Sequence, residues 1–148
     1  MSERKRTYGR RLSTLLGERP KHEVREAGRW HERILEGLDF SAVDNIKQHA
    51  ALTDGELARL LGIGEATLRR ARAARTKLDP ATSDRLYRLS KVVAVAEEVL
   101  EGANNAMQWL RRGQPALGGA VPLDLLVTQA GADEVETLLR RIDFGVYT

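Results

Sequence analysis

The stretch from Thr53 to Arg75 constrains the fold more tightly than any other part of this 148-residue chain. Thr53-Asp-Gly-Glu56 is a capping box and opens a short helix carrying Leu57, Ala58, Leu60 and Leu61. Gly62-Ile-Gly64 breaks that helix, and a second one runs from about Glu65 to Arg75. Two helices joined by so short a break must cross closely. The crossing needs a small residue, which Ala58 supplies, and the turn needs a residue tolerant of positive φ, which Gly62 supplies four positions later. Leu57, Leu61, Ile63, Leu68 and Ala71 furnish the apolar face between them. This is the pattern of a helix-turn-helix.

The second helix has an outer surface of a particular kind. With Leu68, Ala71 and Arg75 near the packed side, Ala66, Arg69, Arg70, Ala73 and Lys77 point away, flanked by Thr67 and Arg72. Residues 64–77 hold five basic side chains against one acid, Glu65. Arginine bridges guanine O6 and N7 or grips phosphate, and threonine meets phosphate or a thymine methyl. The expected DNA contacts are therefore Thr67, Arg69, Arg70, Arg72 and Lys77. The alternative is a solvated, arginine-rich helix. Lys5, Arg6, Arg10 and Arg11 either add backbone contacts or belong to a flexible basic arm.

Elsewhere the spacing predicts helices and no strands. Leu12, Leu15 and Leu16 fit at most a short helix within the basic first 20 residues. Val24, Ala27, Trp30, Ile34 and Leu38 mark one helical face, ending near Gly37. Ser41-Ala-Val-Asp44 reads as a capping box for a helix through Leu52, and Asp79-Pro80 as the cap and first turn of a long one. That long helix carries Leu86, Leu89, Val92, Val93, Ala96 and Val99, a stripe broad enough for a core position or a dimer seam. A short helix covers residues 105–111, and residues 113–122 form a Gly/Pro loop. Another short helix opens at Pro122 and stops at Gly131, and Asp133-Glu-Val-Glu136 caps the last, with Val135, Leu138, Leu139 and Ile142 on its apolar face.

Composition narrows the function. There are no cysteines, so disulfides, thiolate metal sites and cysteine nucleophiles are excluded. His22, His31 and His49 lack metal-ligand spacing. Gly62-Ile-Gly64 has no third glycine or preceding strand to make a dinucleotide loop, and Gly118-Gly119 is not followed by Lys-Ser/Thr. No enzyme activity, metal or cofactor is expected. No apolar run is long enough for a membrane span, and the chain reads as a soluble cytoplasmic protein. Residues 53–91 carry nine basic against five acidic side chains, whereas residues 92–148 carry four against eight. A basic middle and an acidic end suit two partners, a polyanion and a protein.

The second half resembles a known family. Ala116-Leu-Gly-Gly-Ala-Val-Pro-Leu-Asp-Leu-Leu126, then Thr128, then the run from Gly131 through Ile142-Asp-Phe-Gly-Val-Tyr147 is similar to the toxin-binding domain of Xre/MbcA/ParS-type antitoxins. Arg85 to Lys91 resembles that family's helix after the helix-turn-helix, so the likeness spans roughly residues 40–148. It implies an all-α fold, with an Xre-like helix-turn-helix over 40–82 and a small helical toxin-binding and dimerisation domain over 83–148; residues 1–39, outside the likeness, read from charge and spacing as a basic arm and helix. It implies an antitoxin that occludes a RES-domain, NAD⁺-degrading toxin and represses its own operon at promoter DNA, as a homodimer within a larger complex. Gly145, Val146, Tyr147 and Thr148 are the expected toxin contacts, with Phe144 assigned to the core. The alternative is a stand-alone helix-turn-helix repressor whose second half serves dimerisation or ligand sensing.

Overall fold

The computed structural model describes residues 3–16 and 26–145. Helices run over Glu3–Leu15 (α1), Glu26–Glu36 (α2), Phe40–His49 (α3), Asp54–Leu61 (α4), Glu65–Ala74 (α5), Pro80–Val99 (α6), Ala103–Leu110 (α7), Pro122–Leu125 (α8) and Gln129–Asp143 (α9), with a 3-10 turn at Pro115–Leu117. No strand occurs among the described residues, so the all-α expectation holds.

The architecture is built around α6. Asp79 caps it by accepting from the Thr82 amide at 2.8 Å, and Pro80 occupies the first turn, where a missing N–H costs nothing. From Val92 to Glu97 every side chain is buried, which explains the Val-rich middle: a helix enclosed on all sides is apolar all round. α1, α2, α4, α7 and α9 all pack against it. Glu97 is the one charge in that stretch, and His49 of α3 hydrogen-bonds it while Arg11 of α1 approaches to 3.9 Å. Trp30 of α2 stacks obliquely on Tyr87 of α6, ring centroids 5.6 Å apart.

Several expectations need correction. The basic arm contains a 13-residue helix, because Leu12, Leu15 and Leu16 bury themselves against the core rather than marking a brief turn. α3 begins at Phe40 after Asp39; Ser41 lies inside its first turn and caps nothing. α9 starts before Asp133, with Thr128 accepting from the Gly131 amide at 2.9 Å. Gly131 does not stop a helix. It lies within α9 because a Cβ there would sit 2.0 Å from the Leu125 carbonyl oxygen, so only glycine lets α8 and α9 meet. Phe144 is 81% exposed and outside the core, since α9 ends just before it and Gly145 turns the chain at φ 76°. Val24 lies outside the described residues.

Candidate functional site

The helix-turn-helix forms as its residues require. Thr53 Oγ1 accepts from the Glu56 amide at 3.1 Å while the Thr53 amide donates to Glu56 Oε1 at 3.0 Å, completing the capping box. Gly62 takes the left-handed conformation, φ 68°, and the Ile63 amide returns to the Ala58 carbonyl at 3.0 Å. Leu57, Ala58, Leu61 and Leu68 are buried between α4 and α5, which fixes the rotation of α5.

That rotation leaves Ala66, Thr67, Arg69, Arg70 and Ala73 exposed. Arg70 Nη2 donates to Thr67 Oγ1 at 3.3 Å, and Arg69 Nη1 lies 3.9 Å from Glu65 Oε2. Both guanidiniums therefore stand on the outer face with only loose, local partners. Lys77 is exposed beyond the helix, in the connection to α6. That connection is pinned from behind, because the Leu78 amide donates to the Leu38 carbonyl at 2.9 Å. Arg75, expected on the packed side, is exposed and ends α5 in the left-handed conformation, φ 50°.

Arg72 sits differently from the other four candidates. Its Nη1 and Nη2 donate to Asp54 Oδ2 and Oδ1 at 3.1 and 2.9 Å, and its Nε donates to Asp44 Oδ1 at 3.2 Å. The guanidinium lies over the Phe40 ring, 5.7 Å from its centroid, and Lys47 Nζ donates to Asp54 Oδ1 at 2.7 Å. The Arg72 and Lys47 hydrogen bonds hold the Asp54 carboxyl far below the usual carboxylate range, and Asp54 in turn raises Arg72. Arg72 thus clamps α5 to α3 and to the start of α4. The sequence held the signal: Arg72 lies four residues after buried Leu68, on the same helical face.

Arg11, considered for a DNA backbone contact, instead faces Glu97 and Glu98, whereas Arg10 is exposed. The side chains of Lys5 and Arg6 lie outside the described residues, as do Val146, Tyr147 and Thr148. Of the four tail residues only Gly145 is described, and it is exposed directly beside Phe144. Sequence reasoning also missed two ties from the second half onto α4. Arg59 Nη2 donates to Asp124 Oδ1 at 2.8 Å, and Arg111 Nη1 donates to Glu56 Oε2 at 2.6 Å. Their partners lie 65 and 55 positions away, so no local pattern announces them.

Two family models match the chain. Residues 29–91 match the antitoxin Xre-like helix-turn-helix domain, and residues 95–145 match the antitoxin Xre/MbcA/ParS C-terminal toxin-binding domain. A protein named Antitoxin Xre from Photorhabdus laumondii is 30% identical over 114 residues, 76% of this chain and 77% of the relative. One of the same name from Pseudomonas putida is 30% identical over 115 residues, 78% of this chain and 71% of the relative. A protein named Prs ADP-ribosylating antitoxin from a Sphingobium species is 31% identical over 96 residues, 59% of this chain and 60% of the relative.

Proposed function

The chain belongs to the Xre antitoxin family, and from that premise we propose that it occludes a RES-domain toxin that degrades NAD⁺ and represses its own operon. The family makes it an antitoxin with a toxin partner, and not an enzyme. The observation that carries the dual reading is the pairing, in one fold, of a toxin-binding module with a helix-turn-helix whose outer face exposes Arg69 and Arg70. ADP-ribosylation draws on NAD⁺, and the name of the Sphingobium relative is in keeping with a partner that acts on that molecule.

On the DNA side, Thr67, Arg69, Arg70 and Lys77 face the operator. α5 lies in the major groove, and a dimer places two such helices about 10–10.5 bp apart or at a multiple of that. Arg72 serves this surface indirectly, by fixing α5 against α3 and α4. On the toxin side, Gly145, Val146, Tyr147 and Thr148 enter the partner's pocket, joined now by Phe144. A pocket that admits the NAD⁺ pyrophosphate needs basic groups, and aromatic side chains fill the apolar space beside them. Exposure of a large aromatic ring on the antitoxin supports this, because aromatic anchors dominate interface energies.

Co-purification with the product of the adjacent reading frame tests the proposal. The expected result is a stable complex with a RES-domain protein that also retards DNA from upstream of the operon. A chain that purifies alone yet binds that DNA would point to the stand-alone repressor.

A further inference from the structure

Arg111 follows α7 inside the toxin-binding module, yet its guanidinium closes on the DNA-binding motif. Besides the 2.6 Å bond to Glu56 Oε2, its Nη2 donates to Glu56 Oε1 at 3.3 Å and to the Ala51 carbonyl oxygen at 3.0 Å. Ala51 is held at φ 50°, a left-handed conformation that a residue with a Cβ adopts at a cost. Glu56 is the capping-box residue whose Oε1 also accepts from the Thr53 amide. The Arg111 hydrogen bonds hold the Glu56 carboxyl below its ordinary value, so the glutamate stays charged and able to accept. A single guanidinium therefore fixes the strained turn between α3 and α4 and the first turn of α4. Because α5 packs across α4 through Ala58 and Leu61, the aim of Arg69 and Arg70 depends on where α4 sits. Arg59 to Asp124, 2.8 Å, provides a second tie from the same module to the same helix.

We propose that Arg111 is a positioning residue for DNA reading, supplied to the helix-turn-helix by the toxin-binding module. The inference rests on the reading of α5 as the DNA-facing helix. It makes the motif mechanically incomplete without residues beyond 95, and it gives the two activities a shared physical joint.

The test uses the full-length chain and its Arg111→Ala and Arg111→Lys variants, with Arg112→Ala, at an exposed neighbouring position, as control. Affinity is measured against DNA from upstream of the operon and against scrambled DNA over a range of salt. Hydrogen exchange is followed at residues 51–62. Arg111→Ala is expected to weaken binding to the upstream DNA roughly three- to tenfold without changing the salt slope, while exchange at 51–62 rises. Arg111→Lys keeps the charge but loses the fork, so it restores little of either. Arg112→Ala leaves both readouts near those of the parent. Unchanged exchange at 51–62 overturns the positioning role. So does a weakening accompanied by a slope reduced by about one, which would make Arg111 a phosphate contact. If the parent chain shows no preference for the upstream DNA, the DNA reading itself falls, and the positioning role with it.

Discussion

Among five side chains named for DNA contact, the four on or beyond the outer face of α5 and the one on its inner face call for opposite outcomes on substitution. Arg69→Ala or Arg70→Ala should weaken operator binding by roughly 1–3 kcal/mol if the side chain reads a base, with the thermal midpoint little changed. Arg72→Ala should do the reverse at first hand. It leaves Asp54 and Asp44 without their shared donor and should cost about 1 kcal/mol of folding stability in urea titration, with DNA binding falling only as α5 loosens. The same cluster sets an acid limit. The folded-state pKa of Asp54 lies well below its unfolded value of about 3.9, so the stability it contributes is present above that value and is lost as pH falls toward the folded one. Urea midpoints should therefore decline from about pH 4 downward, with most of the loss below about pH 3, and Asp54→Asn should flatten the decline while lowering the neutral-pH midpoint.

At the scale of elements, the central helix and the glycine contacts decide the packing. Val93 is fully buried in α6, so Val93→Lys places an unpaired charge in the core and should cost roughly 3 kcal/mol or more, read as unfolding or as loss of oligomer in light scattering. Gly131→Ala should cost roughly 1–3 kcal/mol in chemical denaturation, because α8 and α9 must separate to admit the methyl. Elements with strong local chemistry were legible from sequence: the Thr53–Glu56 box, the Gly62 turn and the Asp79-Pro80 start all sit where the residues demand. What was not legible depended on distant partners. Gly131 looks like a helix stop until α8 is seen against it. Phe144 looks like core until α9 ends before it. The arm's helix is marked only by Leu12, Leu15 and Leu16, whose burial requires α6 beneath them. The ties of Arg72 to Asp44 and Asp54 escaped notice for a different reason, since charge was weighed above helical phase.

For the whole molecule, α6 belongs to both halves: the two family models meet within it, between residues 91 and 95, and its buried stretch packs with helices from each side. None of the helices among the described residues is long and apolar enough to cross a membrane. On such a frame the two proposed binding surfaces are expected to separate by substitution even though they share a core. Deleting residues 144–148 removes no buried side chain among those described, so DNA retardation should persist while growth rescue during toxin expression fails. Full rescue by that truncated chain would move the toxin interface onto the helix faces. If this chain protects NAD⁺ by blocking a RES-domain toxin, the cellular NAD⁺ level must report it. The gene of the proposed RES-domain toxin is expressed with and without this chain, and NAD⁺ is measured in extracts over the following minutes. NAD⁺ should collapse with the toxin alone and stay at its starting level when the antitoxin is present. An NAD⁺ pool that the toxin never depletes, or one that collapses equally in the presence of this chain, would contradict the account.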